Sequence, residues 1–176
     1  FSISIFAKDL VAPRVLKRDL AGTLLVSVTG EGKVLALPDR NGDGVADRVV
    51  TVIEGLNRPH GLAFHEDMLY VAESHQVSAY EYDEKNFTVS DKQRIIELPD
   101  GGQHFTRTLL FLPDGRLLTS VGSTCNVCNE ADWRRAAVLV SNADGSDVKV
   151  FASGLRNMVF MALRPETNEV WGTEMG

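Results

Sequence analysis

The stretch DGGQHFTRTLLFLPDG, from Asp100 to Gly115, delivers His104 behind two glycines and sets Arg107 three positions on. A neutral imidazole is suited to take a proton because its unperturbed pKa lies near 6.5. A guanidinium fits an anion or a developing negative charge. A second cation stands beside an amide in GLRN, where Arg156 and Asn157 follow Gly154 and Leu155. Together these residues predict a proton acceptor and anion-binding donors, provided the chain brings them to one place. Glycines 101 and 102 permit close backbone approach at His104.

A repeat supplies the means. EGLNRPHGLAF (54–64) aligns with SGLRNMVFMAL (153–163), and each copy runs into a strand, MLYVAES and EVWGTEM. Fainter copies begin at Asp9 and His104. Each unit reads as strand, turn, strand, polar turn and further strands, with Asn-Gly at 41–42, Pro-Asp-Gly at 113–115 and Ala-Asp-Gly at 143–145. Four-stranded units of this length mark a β-propeller; a sandwich with coincidental spacing is the alternative. The units run over about 9–52, 56–98, 104–151 and 155–176, which makes an all-β arc of about three and a half blades. FSISIFA at the start reads as strand-like, and NEADWRRAAVLV is the one stretch of doubtful helical character.

Innermost propeller strands run side by side around a channel, so the residues at their starts meet at one mouth. Those residues are Arg14, His60, His104 with Arg107, and Arg156 with Asn157. A bland reading stands beside the functional one. A strand-end histidine is usually a satisfied structural residue, and for His60 that reading leads. Arg14 and Arg107 could instead cover blade edges. His65 and His75 carry no signal.

The chain has 176 residues, 44% apolar and 24% charged, with a formal net charge of −6. That is ordinary for a globular protein and argues against a general nucleic-acid footprint. No apolar run reaches the roughly 20 residues of a membrane helix. The absence of an initial methionine suggests a mature form or an excised piece. An open arc would expose sheet edges and an apolar blade face, which invites self-association.

GGQHFTRTLLFLPDGRLLTSVGSTCNVCNE, NADGSDVKVFASGLRNMVFMALRPETNEVWGTEMG and GLNRPHGLAF resemble the soluble pyrroloquinoline-quinone (PQQ) sugar dehydrogenases, nearest to the L-sorbosone dehydrogenase-like branch. The resemblance implies a six-bladed β-propeller of which this chain is the N-terminal portion. It implies oxidation of a sugar or sugar aldehyde, with electrons passed to a separate acceptor, in the periplasm or outside the cell. His104 falls on the family's general base, Arg156 and Asn157 on its PQQ contacts, with Arg107 a further candidate. Gly176 falls where a backbone carbonyl coordinates calcium. Met175 replaces a frequent glutamine, and the rest of the calcium site would lie beyond Gly176. The alternatives are a propeller that binds without catalysis and a calcium-dependent lactonase of the gluconolactonase type. The cationic mouth speaks against the lactonase.

Two further motifs remain. Cys125 and Cys128 form a single C-x-x-C. A disulfide is the plain reading in an exported protein, with free thiols or a metal as the alternatives. DRNGDGVADR spaces Asp39, Asn41, Asp43 and Asp47 around Gly44 like the first half of a calcium loop, but Val50 stands where a glutamate would close it. A hairpin turn or a weak structural calcium would both account for it.

Overall fold

The structure is a computed structural model that describes residues 3–176. Among these residues fourteen strands form three four-stranded antiparallel sheets and one two-stranded sheet, each with its strands in chain order. The first sheet comprises β1 (Pro13–Arg18), β2 (Leu24–Val28), β3 (Lys33–Leu37) and β4 (Val50–Ile53). The second comprises β5 (Leu62–His65), β6 (Met68–Ala72), β7 (Gln76–Asp83) and β8 (Thr88–Glu97). The third comprises β9 (Leu109–Phe111), β10 (Leu117–Val121), β11 (Ala137–Ser141) and β12 (Lys149–Ser153). The last pairs β13 (Met158–Leu163) with β14 (Val170–Glu174). The innermost strands are neighbours: β5 lies against β1 and β9, and β9 against β13. This is an arc of a β-propeller.

The packing follows from strand alternation. Successive side chains leave a strand on opposite faces, and in a propeller both faces of a middle strand are covered. Such strands therefore read as unbroken apolar runs rather than as alternating ones. In β2, Leu25 enters the core shared with the second sheet, beside Leu62, Leu69 and Val71, while Val26 joins Val28, Leu35 and Leu37 on the opposite face. In β10, Leu117 packs towards the second sheet with Ala63, Tyr70 and Val77. Leu118 packs the other way with Val138, Val140, Met158 and Met161. Burying one such leucine contributes roughly 2 kcal/mol, so the interfaces between sheets are the main stabilising element of the arc. The outer strands β8 and β12 are largely exposed; β8 is correspondingly polar, whereas β12 leaves Val150 and Phe151 exposed.

One sequence expectation changes here and one doubtful stretch resolves. FSISIFA is not a strand over its described residues: Ile3 and Ile5 are exposed, while Phe6 and Ala7 pack against the Val26 cluster and the Phe6 carbonyl accepts the Ala46 N–H at 2.8 Å. Its first two residues lie outside the described ones. In NEADWRRAAVLV the segment before Ala137 is turn and bend, and the rest enters β11. An Asp132–Arg135 turn, closed by a 3.0 Å bond from the Arg135 N–H to the Asp132 carbonyl, diverts it from helix. No described residue is helical, and no helix is long and apolar enough to cross a membrane.

The calcium-like loop between β3 and β4 closes on itself. Asp39 accepts the Gly42 N–H at 2.9 Å and the Gly44 N–H at 3.0 Å, one through each carboxylate oxygen. Asn41 accepts from Asp43 N–H, and Asp43 accepts from Val45 N–H. These are local side-chain turns. Asp39, Asn41 and Asp43 thus serve the loop's own amides, which accounts for the motif without a calcium ion. Among the described residues no cluster of three or more His, Cys, Asp or Glu side chains is placed to hold a metal.

Candidate functional site

His104 lies in the segment between β8 and β9 and is buried. Its Nδ1 is 2.9 Å from Ser123 Oγ and 3.2 Å from the Ser123 carbonyl, while its own N–H donates to that carbonyl at 3.4 Å. A carbonyl only accepts, so Nδ1 carries the hydrogen, which leaves Nε2 as the lone-pair nitrogen. Nε2 makes no hydrogen bond among the described residues. Ser123 also donates its N–H to the Arg156 carbonyl at 2.9 Å. One residue therefore ties the histidine to the Arg156–Asn157 pair.

Asn157 is held from two sides. Its Oδ1 accepts the Thr106 hydroxyl at 2.6 Å, which turns its amide NH2 towards any acceptor. Glu174 Oε1, across the β13–β14 hairpin, accepts the N–H of Arg156 at 2.7 Å and of Asn157 at 2.9 Å. Arg156 is partly exposed, and its Nε donates to the Met175 carbonyl. Its two terminal nitrogens are uncommitted among the described residues.

Glycine enforces the closeness of these groups. A Cβ on Gly122 would stand 2.5 Å from the His104 carbonyl oxygen, 2.6 Å from His104 Cβ and 3.0 Å from Asn157 Oδ1. Gly122 is therefore the contact point between histidine and asparagine. On the approach, Gly102 has φ +89° and lies against the Thr124 backbone, 2.9 Å from a virtual Cβ. The expected close approach falls at Gly102, whereas Gly101 contributes only its left-handed turn.

Arg107 does not reach the mouth. It is fully buried, and its guanidinium donates to the carbonyls of His104 (3.1 Å), Thr106 (2.9 Å) and Pro99 (2.9 Å). Burial, with the nearby Arg135 cation, lowers its pKa to about 10, so it remains charged at neutral pH. Its role is to hold the 99–106 segment in shape, and the expected cofactor contact is withdrawn. Arg135 works alongside it, donating to the carbonyls of Gly101 (3.1 Å) and Asp100. Arg134 pairs with Asp132 and donates to the Glu97 carbonyl at 3.1 Å.

His60 is fully buried in the segment between β4 and β5. Its Nδ1 lies 3.2 Å from the Arg107 carbonyl, and its Nε2 has no partner. Burial lowers its pKa to about 4; the bond to Arg107 opposes this, and the cations Arg14 and Arg107 add to it. His60 is thus a neutral structural histidine, and Arg14, on β1, lies close enough to help keep it so. Arg58 stacks over the Phe105 ring, its guanidinium carbon 3.5 Å from the ring centroid, and caps that side of the segment.

Cys125 and Cys128 are joined by a disulfide. Gly176 is exposed next to Glu174, and no described carboxylate cluster accompanies its carbonyl. Sequence reasoning missed Ser123, Thr106, Glu174 and Arg135. Ser123 stands inside SVGSTCNVCNE and Glu174 inside TEMG, but a lone hydroxyl or carboxylate carries no periodic signal. Only the fold reveals its partner.

A family model described as TrAA12-like matches residues 1–176. Among curated proteins, the pentonolactonase XacC of Haloferax volcanii is 27% identical over 136 residues, covering 74% of this chain and 43% of that protein. Among solved structures, the Carbohydrate-Active Enzymes Family AA12 protein of Trichoderma reesei superposes with a TM-score of 0.82 at 27% identity, over 97% of this chain and 47% of that one. The PQQ domain of pyranose dehydrogenase from Coprinopsis cinerea, in its holo form, gives 0.78 at 22% identity over 89% of this chain and 42% of that one. The PQQ-bound aldose sugar dehydrogenase of Streptomyces coelicolor gives 0.79 at 18% identity over 99% of this chain and 59% of that one. The last two likenesses speak to the fold. The chain spans less than half the length of XacC and of the Trichoderma and Coprinopsis proteins. By its full-length family match and its propeller arc, the chain belongs to the TrAA12-like family.

Proposed function

We propose that this chain forms the part of a PQQ-dependent oxidoreductase that removes the substrate proton and grips the quinone, in an enzyme acting on a sugar or sugar aldehyde of the aldose or L-sorbosone type. The observation that carries the reading is the Ser123 bridge. It fixes the tautomer of His104 with Nε2 unprotonated, and it bonds Arg156 of the following unit. Family membership, and the PQQ named for two of the structural relatives, support it further.

The residues present fit an anionic quinone. Arg156 offers two uncommitted guanidinium nitrogens and Asn157 an amide NH2 whose carbonyl oxygen is already satisfied. When bound, PQQ supplies an electrophilic quinone that accepts hydride from the substrate. His104 Nε2 takes the substrate hydroxyl proton. The imidazolium that results is stabilised by the two Ser123 oxygens at Nδ1. Arg156 and Asn157 place donors where negative charge develops, and because Glu174 fixes their backbone they need no reorganisation to do so. The described residues do not make a calcium site: Gly176 offers one carbonyl, and the neighbouring Met175 carbonyl is taken by Arg156. No step is therefore routed through calcium. The disulfide supports an exported location, periplasmic or secreted.

The test is reconstitution of the full-length protein with PQQ and calcium, followed by dye-linked oxidation of aldoses, sorbosone and related alcohols. His104→Ala is expected to abolish turnover and leave PQQ binding and the fold intact; retained turnover would remove His104 as the base. The likeness to XacC favours a second reading, lactone hydrolysis. Hydrolysis of aldonolactones without PQQ, together with no dye reduction, would establish it instead.

A further inference from the structure

The disulfide loop continues the hydrogen-bond line that starts at His104. Ser123 Oγ donates its single proton to the Cys125 carbonyl at 2.7 Å. A hydroxyl whose proton is committed in this way can only accept at its lone pairs. It therefore accepts from His104 Nδ1 at 2.9 Å and cannot donate to it. The direction of the whole line is set at its far end, by the carbonyl of a disulfide-bonded cysteine.

We propose that the Cys125–Cys128 loop is a positioning element that selects the tautomer of His104. It does so by holding the Cys125 carbonyl against the Ser123 hydroxyl. The tip at residues 125–128 has little else to shape it. No strand runs through residues 122–136, and Val127 at the tip is 94% exposed. The loop's remaining ties lie at the root and in the limb after Cys128. Glu130 accepts the Thr124 N–H at 2.6 Å and the Thr124 hydroxyl at 3.0 Å, and the Thr124 carbonyl accepts the Gln103 N–H at 2.9 Å. Thr124 Oγ1 lies 3.3 Å from Cys128 Sγ, and Arg134 and Arg135 anchor the far limb to the carbonyls of Glu97, Asp100 and Gly101. These hold Thr124 and the far limb and leave the Cys125 carbonyl to the disulfide. With the disulfide open, the carbonyl swings away and the Ser123 hydroxyl is free to rotate and donate to Nδ1. The neutral imidazole then carries its hydrogen on Nε2 in a larger share of molecules, and that share lacks the lone pair a base needs. The Ser123 carbonyl at 3.2 Å still favours the Nδ1–H form, so the shift is partial. Exchanging one hydrogen bond of about 1 kcal/mol corresponds to a roughly fivefold change in tautomer ratio.

The inference rests on the reading of His104 as base, and its test is independent of turnover. The full-length protein, free of PQQ, is labelled with 15N at histidine, with His104 assigned by its loss in His104→Gln. The tautomer is read from two-bond 15N–1H couplings at alkaline pH. The parent protein is expected to show the Nδ1–H form. Ser123→Ala and Cys125→Ser/Cys128→Ser are each expected to raise the Nε2–H fraction about fivefold in ratio, and Ser123→Thr to restore the parent spectrum. Treating the parent with a phosphine, which converts the disulfide to two thiols, is expected to reproduce the double variant. An unchanged His104 spectrum on opening the disulfide overturns the proposal. So does loss of the fold, by far-UV circular dichroism, on phosphine treatment, because the disulfide is assigned a local role only. Turnover retained by His104→Gln would defeat the base reading while leaving the coupling to be decided by the spectra.

Discussion

Replacing His60 by Asn should flatten the acid side of the protein's stability profile. His60 is fully buried, and its pKa falls from 6.5 to about 4, chiefly through burial. In the unfolded chain it protonates near 6.5; in the folded chain it resists until about 4. As pH drops through that window the unfolded state binds the extra proton, so stability falls with pH. The shift of about 2.5 units, at about 1.4 kcal/mol each, amounts to about 3 kcal/mol, lost in full below about pH 4. Asp132, paired with Arg134 and held at about 2 from a usual 3.8, loses its contribution only below that window, so the two effects separate. Asn keeps a donor for the Arg107 carbonyl but does not titrate. Denaturant midpoints of the full-length protein and of His60→Asn, compared from pH 7.5 to 4, are expected to converge as pH falls, with the variant less stable at neutral pH through lost packing. Parallel curves, or a His60 NMR titration near 6.5, would refute the reasoning.

Arg107→Met should cost about 3–5 kcal/mol, because three carbonyls lose a buried charged donor; chemical denaturation with and without PQQ should show the same loss, whereas a loss only in the PQQ-bound form would return Arg107 to the binding site. Gly122→Ala should separate His104 from Asn157 and lower stability by about 2 kcal/mol, with a loss of turnover in the reconstituted enzyme larger than the loss of folded protein explains. Glu174→Gln keeps an acceptor but removes its charge, and should weaken PQQ binding by about tenfold through the loosened Arg156–Asn157 backbone; isothermal titration would measure it.

The propeller was legible because its signal is periodic. Runs such as LLVSV and LLTSV set apolar residues on both faces and admit only small hydroxyl side chains among them, as strands covered on both sides require, and turn residues recur at regular distances. His104 and the Arg156–Asn157 pair were legible as types in equivalent places, and the fold shows them joined through Ser123. What the repeat could not distinguish was direction. Arg107 shares the rim segment with His104, yet its side chain turns inward, because the carbonyls of Pro99, His104 and Thr106 converge beneath it. The calcium-like spacing at Asp39, Asn41 and Asp43 left two readings open for a related reason. The same alternation of oxygens serves a metal or a run of backbone amides, and in this loop the amides are within reach.

The side chain of Arg135 reaches back 34 and 35 positions to grip the carbonyls of Gly101 and Asp100. The segment leading to His104 is therefore unfinished when its own stretch of polypeptide leaves the ribosome. It acquires its shape only once the chain some three dozen residues later has emerged and folded back upon it. A nascent chain halted before Arg135 should leave that segment open to protease, and one halted well beyond it should not.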